Sequence, residues 1–348
     1  MPPLKVLVIT NAYPSEEKKY AGIFVKNQVE WLQHNSDFII QVFALKRSFT
    51  GLLGSIKKYI MCYLRFLKQV RKHYDILHLH FLSPLIILPF VYKIFHPSAK
   101  VFLTMHGSDI NNLENKLLIR LYRKLISCVD EIICVGRSME ESVNNKLHRE
   151  VNYFLCAGIN TDAIYSLHKP YDERDIDFLY VGSFYKVKGT DKLIEAFKMV
   201  NHDKMKIVFI GSGHFQDEIG ELRRERNLSV QDDLTQDEIN EYYNRSKFFI
   251  FPSRSEGFGL SLAEAMYCGT PGIISNLKQL KHQVTDGYNG YVCKQTTTSE
   301  LAKIIVKALE MESDVWKLMS RNAMKEAQKY SIDSVGKTLK KMYERVGR

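Results

Sequence analysis

The sequence predicts an α/β protein made of two doubly wound parallel sheets, and two observations carry that expectation. Short apolar runs of strand length alternate with longer stretches of helical period, the pattern of βα units whose parallel strands are buried on both faces. The alternation stops in a polar stretch, Leu167 to Asp175 (LHKPYDERD), and then starts again. A chain of 348 residues has room for two domains of ordinary size. The expected division is 1–168, 169–330 and a last helix over 331–348.

In the first half the strand candidates are KVLVIT (Lys5–Thr10), FIIQVFAL, DILHLHFL, KVFLTMHG and EIICVG. After the first of them a loop, NAYPSEEKKYAG, leads into a helix whose apolar face holds Ile23, Val25, Val29 and Leu32. The second half restarts with DFLYVGS (Asp177–Ser183) and continues through MKIVFIGSG, FFIFPS and PGIIS. FFIF is short, apolar and aromatic, as a buried parallel strand should be, and LSLAEAMYCG reads as a helix stopped by Gly269 and Pro271. The tail DSVGKTLKKMYERV is one more amphipathic helix.

Composition narrows the class. The apolar and charged fractions, 45% and 25%, are those of a soluble globular protein. The longest apolar stretch, Phe81 to Tyr92, is broken by Ser83, Pro84 and Pro89 and falls short of the ~20 residues of a spanning helix. MPPLKVLVIT has too short an apolar run for a secretory leader, so the expected location is intracellular. Six cysteines without a C-x-x-C pair read as reduced, mostly buried residues.

The net charge of +10 is uneven: residues 1–168 hold 21 Lys/Arg against 13 Asp/Glu, while residues 169–348 hold 28 against 26. Much of the excess lies in Lys46 to His73, which has eight Lys/Arg and no acid. Leu52, Leu53, Ile56, Ile60, Tyr63, Leu64 and Leu67 recur there near helical spacing, which makes a basic amphipathic helix. Such a helix suits an anionic membrane surface, and equally an ordinary surface helix with solvated lysines. No nucleic-acid motif accompanies the charge.

In doubly wound sheets ligands bind beyond the C-terminal strand ends. That rule selects Asn11 and Gly22, His106, Ser183, Gly211 and Glu256. The densest pattern is Phe248 to Pro271, where Glu256 and Glu264 stand eight positions apart around a glycine-rich turn. Gly257 and Gly259 free backbone amides to approach a ligand, and the following helix start, at Leu260, favours an anion such as phosphate. An ionised Glu only accepts hydrogen bonds and suits a vicinal diol, so two of them about an anion pocket suggest a nucleotide sugar. Here the chain resembles the retaining glycosyltransferases of family 4, whose E-x7-E signature matches Glu256 and Glu264 in an SEGFGL...EAM..G.P context.

The resemblance covers nearly the whole chain and implies the GT-B architecture, with two Rossmann-like domains facing across a cleft and the last helix crossing back to the N-terminal domain. It implies an acceptor-binding first domain and a donor-binding second one. By the resemblance, Glu264 holds the ribose diol, and Glu256 with the amides of Gly257, Phe258 and Gly259 grips the donor sugar. Lys188, before Gly189, matches the diphosphate lysine; the alternative is an exposed loop lysine. Gly22 matches the N-terminal glycine at the diphosphate, although Ala21 stands where a second glycine is usual; the alternative is a helix start that needs glycine geometry. Gly211 and Gly213 match the glycines under the nucleotide. Ser183 replaces a usual arginine, and the segment around Asp232 lacks its usual glycine, which leaves the base open.

His106, in T-M-H-G-S-D, is expected at the donor sugar or transition state, with Asp109 and His80 in support. His78 and His80 share one strand face but lack a third zinc ligand, and Asp175 and Asp177 form a D-x-D pair that precedes a strand. No metal or cofactor is expected beyond the nucleotide-sugar co-substrate. The motifs offer no obvious carboxylate nucleophile for double displacement, and the resemblance implies same-face attack, in which a leaving phosphate oxygen takes the acceptor proton. The expected activity is therefore transfer of a hexose or N-acetylhexosamine to a glycan or lipid-linked acceptor, in surface polysaccharide synthesis at the inner face of the membrane. A nucleotide-sugar epimerase and a non-catalytic partner subunit are the alternatives.

Overall fold

The computed structural model describes residues 2–15, 21–45, 51–202, 204–295 and 297–346, without the side chains of Gly51, Leu52, Leu53, Ser55 and Glu225. Among the described residues twelve strands form two six-stranded, wholly parallel sheets. The first holds β1 (Lys5–Thr10), β2 (Ile39–Ala44), β3 (Ile76–His80), β4 (Lys100–Met105), β5 (Glu131–Cys134) and β6 (Tyr153–Phe154), in the order β2-β1-β3-β4-β5-β6. The second holds β7 (Ile176–Val181), β8 (Ile207–Ile210), β9 (Leu228–Gln231), β10 (Ser246–Phe251), β11 (Gly272–Ser275) and β12 (Gly290–Cys293), in the order β12-β11-β10-β7-β8-β9.

Both orders reverse direction once. In the first sheet the switch lies between β1 and β3, and in the second between β7 and β10. Loops leaving neighbouring strands at a switch run to opposite faces and open a crevice between them. The loop after β7 and the loop after β10 are therefore neighbours although about seventy residues separate them in the chain.

The central strands are apolar runs with nearly every side chain buried, as strands covered on both faces must be. The sequence reading missed β6, β9 and β12. All three lie at or beside a sheet edge: β6 is two half-buried residues, β9 is half polar, and β12 opens on glycine. The apolar stretch Phe81 to Tyr92 holds a short turn of helix at Pro84–Ile86 and most of the helix Ile87–Phe95.

The chain forms two compact units, 1–158 with 332–348, and 159–331. The first break thus falls before the polar linker. Asn240 and Asn244 explain why: their side-chain oxygens accept the backbone N–H groups of Tyr165 and Leu167 at 3.0 and 2.6 Å, fastening 159–167 to the second unit. Helix Ile332–Val346 returns to the first unit, where Leu339, Met342 and Tyr343 join Val6, Val8, Phe38 and Phe102 in one core. Each such side chain contributes ~2 kcal/mol on burial.

A buried guanidinium organises the second unit. Arg174 stacks on Trp316 at 4.8 Å and donates to the carbonyls of Tyr243, Ser246 and Cys268 and to Thr270 Oγ1 at 2.7 to 3.2 Å. Among the described residues its charge meets no carboxylate. It caps the carbonyl ends of the helices Gln236–Arg245 and Leu260–Tyr267, where the helix dipole favours a cation. Burial pulls its pKa down to about 10.

Candidate functional site

The second unit brings together residues from the loops flanking its switch point. Lys188, at the end of the short helical turn Lys186–Lys188 after β7, donates to Glu256 Oε1 at 2.7 Å. Ser253 Oγ donates to the same oxygen at 2.7 Å. Glu256 is 9% exposed and Lys188 half-buried, so the pair stands in a largely desolvated place where charge acts strongly.

Arg254 locks these loops. Its backbone N–H donates to Val187 O at 2.8 Å, its guanidinium holds Asp191 in a two-pronged pair at 2.6 and 2.8 Å, and it also reaches Lys186 O. Burial would raise the Asp191 pKa, but Arg254 outweighs it and holds the carboxyl below its usual range. Arg254 is thereby committed to structure. The sequence gives no hint of this contact, which joins positions 63 apart.

Gly257, Phe258 and Gly259 form the turn after β10, and Leu260 opens the next helix. Gln283, 1% exposed, donates from Nε2 to Phe258 O at 2.6 Å and fixes the turn from beneath. One helical turn on, Glu264 is buried and accepts from Tyr243 OH at 3.0 Å. Burial, partly offset by that bond, raises its pKa to about 7.

Gly211 and Gly213 press onto the loop after β7. A Cβ on Gly211 would lie 2.2 Å from Gly182 O, and one on Gly213 2.8 Å from the Phe184 backbone. Gly211 N also donates to Gln231 O, which puts the turn after β9 alongside. There Asp233 takes a left-handed φ of 52°, so this turn forms without glycine. Ser183 lies in the same group, its carbonyl accepting from Tyr180 OH at 2.9 Å. Lys186, which could stand in for the absent arginine, is exposed on the neighbouring turn. Asp175 and Asp177 are held by Arg245 and Lys247 at 2.7 and 2.9 Å at the start of β7.

The first unit gathers neutral groups. His80 ends β3 and His106 follows β4; their Nδ1 and Nε2 atoms are 3.2 Å apart. Phe24 and Phe81 pack on the His106 ring at 4.8 and 4.2 Å. Asp109 accepts the N–H groups of Leu82, His106 and Gly107 at 2.9 to 3.1 Å, joining the loops after β3 and β4. Burial raises its pKa against the pull of those bonds. Burial also lowers the pKa of His106 well below normal and that of His80 to about 3, so both imidazoles are uncharged at neutral pH.

His78 is wholly internal, bonded to Tyr343 OH at 2.5 Å and Thr104 Oγ1 at 2.7 Å. Gly22 starts the helix Ile23–Asn35 with φ 69°, and a Cβ there would lie 2.1 Å from Ala12 O. Close approach alone accounts for that glycine. Among the described residues no group of three or more His, Cys, Asp or Glu is placed to hold a metal.

Two family models match the chain: Glycosyltransferase Family 4 over residues 4–163 and Glycosyl transferases group 1 over residues 167–330. An uncharacterised glycosyltransferase of Methanocaldococcus jannaschii is 30% identical over 247 residues, 70% of this chain and 67% of that one. The N-acetyl-alpha-D-glucosaminyl L-malate synthase of Bacillus anthracis is 27% identical, with the same two coverages. A putative teichuronic acid biosynthesis glycosyltransferase of Bacillus subtilis is 23% identical over 79% of this chain and 81% of its own. Among solved structures, Anabaena HepE in complex with UDP and glucose superposes with a TM-score of 0.74 over 98% of this chain and 100% of that one, at 15% identity, a likeness of fold.

Proposed function

The chain belongs to glycosyltransferase family 4 and has its GT-B fold, and from that premise we propose that it moves a hexose or N-acetylhexosamine from a nucleotide-diphosphate sugar to a glycan or lipid-linked acceptor, with retention at the anomeric carbon. The observation that carries this reading is the Lys188–Glu256–Ser253 constellation at the switch point, with Glu264 one helical turn beyond the glycine turn. Lys188 stabilises the charge that builds on the departing diphosphate, an interaction that grows in the transition state. Glu256 and the amides of 257–259 hold the sugar hydroxyls, and Glu264 holds the ribose diol. His106 is assigned a donor-sugar contact by the family resemblance.

In the transfer step the bond from C1 to the phosphate oxygen breaks and the acceptor oxygen bonds to the same face of C1. The acceptor proton passes to the leaving phosphate oxygen, giving the glycoside and a nucleoside diphosphate. HepE, of the same fold, holds UDP and glucose, which favours a nucleotide sugar as donor. The step proceeds without a metal, Lys188 supplying the positive charge, and the D-x-D carboxylates are already committed to Arg245 and Lys247. Full turnover in EDTA supports this, and restoration only by a divalent ion refutes it. The first test is thermal stabilisation by UDP, GDP, ADP and their sugar conjugates, followed by product analysis with a responding donor. Failure of every nucleotide to bind would overturn the reading.

The acceptor surface is read from the helix Gly51–Val70, the described part of the basic segment, since Lys46 to Thr50 lie outside the described residues. Cys62 and Phe66 are buried, while Ile56, Ile60, Met61, Leu64 and Leu67 are exposed. Leu117 and Leu121 are exposed on the helix Lys116–Leu125, whose Tyr122 lies near Tyr59 and Tyr63. An apolar row flanked by cations suits an anionic bilayer, and it supports a lipid-linked acceptor of the kind used in surface polysaccharide synthesis, the field of the teichuronic acid relative. No helix among the described residues is long and apolar enough to cross a membrane. Binding to phosphatidylglycerol vesicles, lost in Leu64→Glu, is expected; equal binding to neutral vesicles at high salt would refute it.

A further inference from the structure

Phe81 has a left-handed backbone, φ 70°. Among the described non-glycine residues there, its companions are two histidines and an aspartate, types that visit this region readily; a bulky aromatic side chain does so only under strain. Such strain persists where the surroundings over-determine the backbone, and it clusters at functional sites. The surroundings here are explicit. Phe81 N donates to Thr104 O at 2.9 Å, extending the β3–β4 ladder, and Leu82 N donates to Asp109 at 2.9 Å. Pinned on both sides, the chain turns so that the Phe81 ring meets the His106 imidazole at 4.2 Å, beside Phe24 at 4.8 Å and the His80 nitrogen at 3.2 Å.

We propose that Phe81 and His80 are positioning residues for His106: the strained backbone aims the Phe81 ring, and the His80 hydrogen bond ties the proton position of His106 to that of His80. This rests on the reading of His106 as a donor-sugar contact. A shared N–H between two uncharged imidazoles makes one ring donor and the other acceptor, so the tautomers are coupled: both rings carry the proton on Nδ1, or both on Nε2. His106 Nε2 is engaged with His80, and Nδ1 is left for the substrate. The two phenyl rings hold the imidazole plane, so the direction of that nitrogen is set before substrate arrives.

Two variants separate positioning from mere packing. Phe81→Ala removes the ring and keeps the strain; Phe81→Gly removes the ring and releases it. Positioning predicts that Phe81→Gly melts at a higher temperature than Phe81→Ala while the two share the same loss of kcat, about tenfold, with KM for the nucleotide sugar little changed. Turnover that recovers along with stability in Phe81→Gly, or normal turnover in both, overturns the proposal. Nitrogen-15 spectra of the imidazoles test it without turnover. The wild type should show His80 and His106 in matched tautomers, and His80→Leu should change the tautomer balance of His106. Unmatched tautomers in the wild type, or a His106 balance that His80→Leu leaves unchanged, overturn it. An inactive wild type that still shows the matched pair would instead sink the glycosyltransfer reading and leave the clamp standing.

Discussion

The two units solve the same topological problem with opposite electrostatics. At the switch point of the second sheet the loops gather charge: Lys188 on Glu256, Arg254 on Asp191 and a buried acid at Glu264. At the strand ends of the first sheet they gather imidazoles and phenyl rings, and burial strips the imidazoles of charge. A site that handles a diphosphate needs fixed charge that does not reorganise as the leaving group departs. Neutral donors and acceptors, by contrast, make bonds that survive changes of pH and salt. The difference teaches that one architecture fixes where ligands meet the chain, while burial at each strand end decides what chemistry meets them.

The largest expected effect removes the charged side of this comparison. Glu256→Ala should lower turnover by about 10³ while nucleotide stabilisation of the fold remains; unchanged turnover would break the assignment. His106→Ala removes the neutral side and should cost about 10² in kcat. Because its pKa lies well below the usual histidine value, His106 should add no limb to the pH–rate profile between pH 6 and 8, and a limb lost in His106→Ala would show that it titrates there.

Glu264 sharpens the comparison through pH. Its pKa is raised to about 7, so below that it is protonated, and on the proposed reading it must lose the proton to accept both ribose hydroxyls. Nucleotide affinity should therefore fall about tenfold per pH unit below 7 and be flat above it, and Glu264→Gln should abolish the slope. In the free protein the sign is opposite: the raised pKa means Glu264 favours the folded state below the ordinary carboxylate range, and that contribution is lost as pH rises through about 7. Titration calorimetry and melting curves at pH 5.5 to 8 read the two effects separately. The smallest effect belongs to Asp175→Asn, which breaks an exposed pair with Arg245. It should cost under about 1 kcal/mol and leave transfer intact; a large loss of activity would point back to a metal at the D-x-D pair.

What was legible in the sequence follows the range of the interactions. β1, β3, β4, β7 and β10 are apolar because they are covered on both faces, so composition alone marks them. β6, β9 and β12 are held by edge pairing, which leaves little trace in four residues or fewer. The local motif around Glu256 and Glu264 showed itself through spacing. Tyr243 under Glu264, Asp191 on Arg254 and Gln283 beneath Phe258 are brought in by the strand order, and no window of sequence contains it. The Phe81 backbone is hidden for the same reason, since Thr104 and Asp109 impose it from another strand and loop.

The return of helix Ile332–Val346 to the first unit sets an order of assembly. Residues 159–331 are contiguous and hold their own core, so this unit can fold without any segment from elsewhere in the chain. The first unit is begun earlier but waits longer, because Leu339, Met342 and Tyr343 belong to its core and are synthesised only after the whole of 159–331. Until then His78 lacks the Tyr343 hydroxyl and the sheet keeps an apolar face uncovered. The unit begun first is thus the unit finished last, and its sheet stands with that face bare for as long as the other unit takes to be made.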